Sequence, residues 1–330
     1  MRKWAPLLWL SIIAAAGWVL SDRLRTIDFE DIMSTLRALP ASVVLAGVAC
    51  SVGCYCLVGV YEGLAVRLAS GRRAFLQPFR TALIANPIGR AIGAALLSAG
   101  ALRYRMYASA GLSARQIGGV ILLAAMPYVL GVGWLIDLSL LFNAAQAAGA
   151  LHLSVGAVVA IGVVGLIKDV GWSVLVARRK RPFVFRGQPL PLPTLRDTLI
   201  QTAFGLAQLS LMTTILYLFM PSELNMGWPA FVAIYCIAFV AGQLSNVPVG
   251  LGVLEAALFL LLPQVPPAKL LGAVLAYRAV YEVLPLLVAI TLLLIFEIAH
   301  PSGVVRRRAW NKSEDLRATK DRKKGIQESR

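Results

Sequence analysis

The chain alternates long apolar runs with short polar stretches. Runs of roughly 20 apolar residues, enough to cross the hydrocarbon core of a bilayer as a helix, recur at Trp4–Leu20, Ala41–Val66, Ile117–Phe142, Leu153–Ala177, Leu199–Met220 and Leu270–Ile298. Two further segments are apolar but interrupted. Phe79–Leu102 is broken by Asn86-Pro87, Gly89-Arg90 and Gly93; Trp228–Leu262 is broken by Gly242–Glu255, which reads Gly-Gln-Leu-Ser-Asn-Val-Pro-Val-Gly-Leu-Gly-Val-Leu-Glu. Proline and glycine stop a helix from running through such a stretch. Backbone freed at membrane depth has to be satisfied by protein or by a wet cavity. The pattern predicts two half-helices meeting at a polar turn, the arrangement that marks binding sites in transporters; a kinked helix whose glycines serve packing is the plainer alternative.

Composition agrees with the pattern. Of 330 residues 58% are hydrophobic and 15% charged, with a mean hydropathy of +0.75. This predicts an all-α polytopic membrane protein with about six spanning helices. The formal charge of +16 would suggest nucleic acid, but its distribution points to topology. The N-terminus, Arg67–Arg80, Arg103–Arg115, Arg178–Arg196 and the tail hold 25 of the 32 basic residues. By the positive-inside rule these are cytoplasmic, so both termini face the cytoplasm and no nucleic-acid partner is expected. The N-terminal run reads as an uncleaved signal anchor. The 301–330 tail, with ten basic and four acidic residues, reads as a disordered or surface-helical extension.

The same rule puts both flanks of Phe79–Leu102 inside and both flanks of Trp228–Leu262 outside. Each then enters and leaves from one side, as a re-entrant helical hairpin. The hairpins sit in equivalent contexts, each after one span and before another. An offset near 153 residues aligns Gly119 with Gly272 and Tyr128 with Tyr281. Repeat halves at about 41–142 and 199–298, of opposite orientation, form an inverted repeat within a 1–300 membrane domain.

Ionisable residues inside spans are costly and face partners or cavities. Arg90 falls at the tip of the first hairpin beside Asn86; Ser245, Asn246 and Glu255 fall around the second break. Arg278 and Glu282, four apart on the last span with Tyr277 and Tyr281, share a face and can pair. They form either a static ion pair or part of a cavity in which Arg90 and Arg278 grip a phosphate headgroup bidentately. The expected substrate-binding set is Arg90, Arg278, Glu282, Glu255, Asn246, Ser245, Asn86 and Tyr281. Lys168 and Asp169, adjacent, are expected to face apart as structural residues, and Arg103 and Arg105 to snorkel to the cytoplasmic surface, where gathering of headgroups is the alternative role. Cys50, Cys54, Cys56 and Cys236 lie in apolar runs without histidine partners, so no metal or cofactor is expected. Nor does any paired carboxylate or nucleophile arrangement suggest an intramembrane enzyme.

The stretch Ser245-Asn-Val-Pro-Val-Gly-Leu-Gly-Val-Leu-Glu255, then Ala276-Tyr-Arg-Ala-Val-Tyr281 and Leu284-Pro285, resembles the signature of the lysylphosphatidylglycerol synthase transmembrane (flippase) family. It is particularly similar to the flippase part of the multiple peptide resistance factor. Ala85-Asn-Pro-Ile-Gly89, Gly100-Ala-Leu-Arg-Tyr-Arg-Met-Tyr107 and Gly111-Leu-Ser113 resemble its first hairpin region. The resemblance covers most of Ala41–Ile298. It implies movement of a lipid, such as an aminoacylated or anionic phospholipid, between leaflets of a bacterial inner membrane, and a homodimer. One position departs from the usual Pro-Gly-Gly-Leu-Gly: Val249 stands where the family has glycine. The soluble aminoacyltransferase domain of bifunctional members has no counterpart, so that activity is not implied. The alternative function is a non-transporting accessory protein that recruits a separate lipid-modifying enzyme through its basic tail.

Overall fold

The computed structural model describes residues 29–93, 95–178, 183–185, 188–190, 193–245 and 247–299. The expected first span, Trp4–Leu20, the basic tail and Asn246 lie outside them. The described chain is a helical membrane protein. Among the described residues five helices are long and apolar enough to cross a membrane: Ala41–Ser70 (α2), Ala114–Phe142 (α5), Val155–Arg178 (α7), Leu195–Phe219 (α8) and Pro267–Ile298. The last consists of α11 (Pro267–Arg278), a π-helical turn (Ala279–Val283) and α12 (Leu284–Ala299).

Local chemistry sets the helix ends. Ser113 and Gln116 form a capping box at the start of α5, and Thr194 and Asp197 form another at the start of α8, each satisfying N-terminal amides that have no helical partner. Pro266 and Pro267 open α11. Gly71, left-handed, closes α2.

Both interrupted segments are helix–break–helix. The first runs through α3 (Leu76–Ile92), a break at Gly93, and α4 (Ala95–Ser109). The second runs through α9 (Trp228–Leu244), a 3₁₀ turn at Pro248–Gly250, and α10 (Val253–Leu261). At 1.5 Å per residue α3 is about 26 Å long and α10 about 13 Å, each short of the ~30 Å hydrocarbon core. The arms of the first hairpin touch. A methyl group on Gly89 would lie 2.5 Å from the Ala99 Cβ, and Ser98 Oγ donates to the Gly89 and Gly93 carbonyls at 2.8 and 3.0 Å. In the second, Gly242 packs directly on Gly250.

Helices α2, α5 and α8 form the central bundle, with the second hairpin and α11 completing the largest core around Met212, Leu216, Phe231, Tyr235, Leu258 and Tyr277. The first hairpin packs against α2 and α12. Helix α7 shows an exposed apolar face that includes Ile161, Val164, Ile167 and Leu175, the surface expected against lipid.

Three polar stretches that pattern alone leaves as loops are ordered. Phe29–Arg37 is a helix (α1) packed on α11, with Ile32 buried, Leu36 against the main core and Thr35 close to Gly272. Ala144–Leu151 is a short helix (α6), alanine-rich and therefore a good helix former,. Within the proline-rich loop, Gln188–Leu190 pairs antiparallel with Phe183–Phe185.

Candidate functional site

The site grows from the helix breaks. A π-helical turn carries an extra residue, so it frees backbone carbonyls from the helical ladder. In Ala279–Val283 two are taken up by α2: Ser51 Oγ donates to the Val280 carbonyl at 3.0 Å, and the Tyr55 hydroxyl to the Tyr281 carbonyl at 3.3 Å. The wide turn also carries Glu282 away from Arg278. The expected Arg278–Glu282 pair is not formed. Glu282 pairs with Arg90 of the first hairpin, and Arg278 pairs with Glu255 of the second, Nε to Oε1 at 2.6 Å.

Arg90 is held on three sides. One terminal nitrogen donates to the Tyr281 hydroxyl at 3.0 Å, the other to Glu282, and the guanidinium lies 4.9 Å from the Tyr281 ring centroid. Its Nε has no hydrogen-bond partner. Arg103 does not snorkel. It is buried against Glu62, which is wholly inaccessible, in a two-pronged pair at 2.7 and 2.8 Å. Its terminal nitrogen also reaches Asn86 Oδ1 at 3.2 Å, and Tyr107 donates its hydroxyl to Glu62 at 3.0 Å. A glutamate in the middle of an apolar helix is stable only with such a partner; the reason Arg103 turns inward is Glu62. Arg105, one helical step away, pairs with Glu297 at the surface.

Both arginines line one cavity of about 210 Å³. Its remaining polar wall is Tyr55, Tyr61, Asn86, Tyr128, Gln208, Gln243 and Tyr281. Glu62 is not on the wall, so Arg103 stands between its own carboxylate and the space. Gln208 Oε1 is buried without a partner. The volume holds about seven waters at ~30 Å³ each, or one phosphate-sized group with its shell. A smaller recess beside it joins Arg90 and Glu282 to Gly242, Gln243 and Val249, so the break of the second hairpin comes up to the arginine of the first. On the other side of Tyr55 lies an apolar groove of about 270 Å³, walled by α2, α3 and α12 through Val48, Val52, Phe79, Leu83, Leu284 and Val288.

The expected site residues therefore divide. Arg90, Asn86 and Tyr281 line the cavity, and Glu282 lies behind Arg90 in the adjoining recess. Arg278 and Glu255 do not reach the cavity wall. They clamp the second break: Arg278 donates to the Val249 carbonyl at 3.1 Å, and Glu255 accepts from the Gly252 amide at 2.9 Å. Ser245 is buried and accepts the Val247 amide while donating to the Gly242 carbonyl, a cap for the end of α9. Asn246 is outside the described residues. Sequence reasoning missed Arg103, Glu62, Gln208 and Gln243 as members of the site. Glu62 was the available signal, since an acid inside a span demands a cation.

The turn at the second break holds Val249 in a strained backbone conformation. Its φ is +55°, a left-handed conformation that glycine adopts freely and a β-branched residue resists. The clamp from Arg278 holds it there.

Comparison with known proteins gives two related chains. One is an uncharacterised Synechocystis protein, slr0712, 28% identical over 320 residues, spanning 95% of this chain and 98% of its own. The other is the Escherichia coli inner membrane protein YbhN, 26% identical over 297 residues, spanning 88% of this chain and 91% of its own. No family model matches. Each similarity extends over most of this chain and most of the relative, and is not confined to one motif.

Proposed function

We propose that the chain is a multi-pass protein of a bacterial inner membrane that moves a lipid with an anionic headgroup between leaflets, as a member of the lysylphosphatidylglycerol synthase transmembrane family. The inner-membrane location follows YbhN; the family follows the motif around Pro248–Glu255. One observation carries the reading: two arginines, Arg90 and Arg103, line a single half-open cavity, each paired with a carboxylate that is not on its wall. Such a wall is neutral in sum and cationic in the direction that matters. Inside a membrane it can admit a phosphate without leaving bare charge when empty.

The headgroup occupies the polar cavity. The acyl chains lie in the apolar groove beyond Tyr55, which lines both spaces. Movement of one hairpin against the other opens the cavity toward either leaflet. The cytoplasmic placement of both termini and a homodimeric assembly belong to this same proposal. Neither the aminoacylated nor the simple anionic phospholipid is favoured by the cavity wall, since both present the phosphate that it grips.

The test is leaflet exchange of a fluorescent anionic phospholipid in proteoliposomes of the full chain. Arg90→Gln should abolish exchange while the protein still inserts and elutes as a single species. Full exchange by this variant would refute the assignment.

A further inference from the structure

Away from the cavity, α5 and α7 enclose a second polar cluster. Asp137 of α5 and Asp169 of α7 are 6% and 5% exposed. Lys168, whose side chain is 60% exposed, reaches them from the outer edge of the helix contact, its Nζ 2.9 Å from Asp169 Oδ1 and 3.8 Å from Asp137 Oδ2. The two neighbours expected to face apart therefore meet through their side-chain tips. Each helix has a glycine where the other's polar group enters. A methyl on Gly165 would lie 2.0 Å from Asp137 Oδ1, and one on Gly133 would lie 2.9 Å from both Asp169 Oδ2 and Lys168 Nζ. The cluster is built into the helix contact.

Its charge does not balance. Two carboxylates face one ammonium, and Oδ2 of each aspartate has no hydrogen-bond partner. Among the described residues, no other charged group faces them. On α8, Asp197 is engaged by Arg67; on α4, Arg103 and Tyr107 serve Glu62 and Arg105 serves Glu297. On α9, Tyr235 bonds Tyr277, and α6 carries no ionisable side chain. On α2, Glu62 is held by Arg103 and Arg67 by Asp197. A lone negative charge between two membrane helices costs several kcal/mol, and two nearby carboxylates relieve it by keeping one proton. A metal ion is a poorer solution: the ammonium already pairs with both carboxylates, and no group of three or more metal-ligating side chains exists among the described residues.

We propose that Asp137 and Asp169 form a proton-binding site, sharing one proton beside Lys168, through which a transmembrane proton gradient acts on the central cavity. Helix α5 connects the two places, since its Ile121, Ala124, Tyr128 and Val129 line that cavity. Proton uptake neutralises the cluster and draws α5 onto α7; loss of the proton restores repulsion and loosens that contact. The coupling rests on the lipid-exchange reading, whereas the proton site does not.

Infrared difference spectroscopy of the full chain in liposomes, between acid and alkaline pH, tests the site by itself. The wild type should show a protonated-carboxyl stretch that disappears at alkaline pH and is indifferent to exchanging potassium for sodium. The band should be missing in Asp137→Asn and in Asp169→Asn, because each leaves a single aspartate matched to Lys168. Two variants keep the test open if one fails to fold. Wild-type bands in both, or a band displaced by sodium, would overturn the proposal. In proteoliposomes, an imposed pH gradient should accelerate wild-type exchange and leave Asp137→Asn at its gradient-free rate. Equal response of the two would overturn the coupling while leaving the spectroscopic result to stand.

Discussion

The two hairpins begin from the same materials and end with different jobs. Each brings a glycine-rich break and a buried arginine–glutamate pair to the middle of the molecule. In the first, Arg90 and Arg103 line the cavity while paired with Glu282 and Glu62, which are not on its wall. In the second, Arg278 faces a glutamate and a backbone carbonyl and has no access to the cavity. An embedded arginine is therefore not by itself a binding residue. What distinguishes the two is whether the paired arginine lines the cavity, as Arg90 and Arg103 do and Arg278 does not.

The largest effect should come from breaking the clamp. Arg278→Ala leaves Glu255 buried and unpaired and frees the turn at Val249. A loss of about 3–5 kcal/mol is expected, read as a fall in thermal midpoint of the detergent-solubilised protein. An unchanged midpoint would mean that the second hairpin does not depend on this pair. Arg90→Lys tests the opposite assignment. It keeps the charge and loses the planar fork, removing a charged hydrogen bond of roughly 1.5–3 kcal/mol and slowing exchange about 10–100-fold, with a smaller shift in midpoint than Arg278→Ala. If the two variants lose stability and exchange in equal proportion, the division between gripping and clamping collapses.

A gentler probe is Val249→Gly. Relief of the left-handed strain, about 1–3 kcal/mol, exceeds the added chain entropy of about 0.5–1 kcal/mol. The variant should be stabilised by about 1 kcal/mol; destabilisation would show that the valine side chain contributes packing the turn needs. The smallest effect belongs to the polar segment before α9. A hydrogen bond from Lys269 holds the Glu223 carboxyl below its ordinary range. Its stabilisation is present above the unfolded value and lost as pH falls through the folded one. Lys269→Gln should flatten the acid limb of the stability profile slightly, and a profile identical to wild type would remove any role for the pair.

How much of this was legible beforehand follows from the range of each interaction. The breaks at Gly93 and Pro248–Gly252 are local, written in residues that cannot continue a helix, and the spans are written in twenty-residue runs. The pairings are not local. Arg90 meets Glu282 across 192 residues, and only the π-helical turn decides that Glu282 faces Arg90 and not Arg278. Pro285 marks a disturbance of the helix at the carbonyl four residues earlier, that of Tyr281,, but it does not say which partner Glu282 then meets. Arg103 was misjudged for a related reason: its neighbours suggest a surface, and the glutamate that draws it inward lies 41 residues earlier.

The most direct measurement is the lipid that the protein retains. Native mass spectrometry of chain purified in mild detergent should find a bound anionic phospholipid on the wild type. The same lipid should be retained by Arg278→Lys, whose altered side chain lies off the cavity wall, and lost from Arg90→Gln. Retention by Arg90→Gln at the wild-type level would contradict the account, because the arginine on the cavity wall would then have nothing to hold.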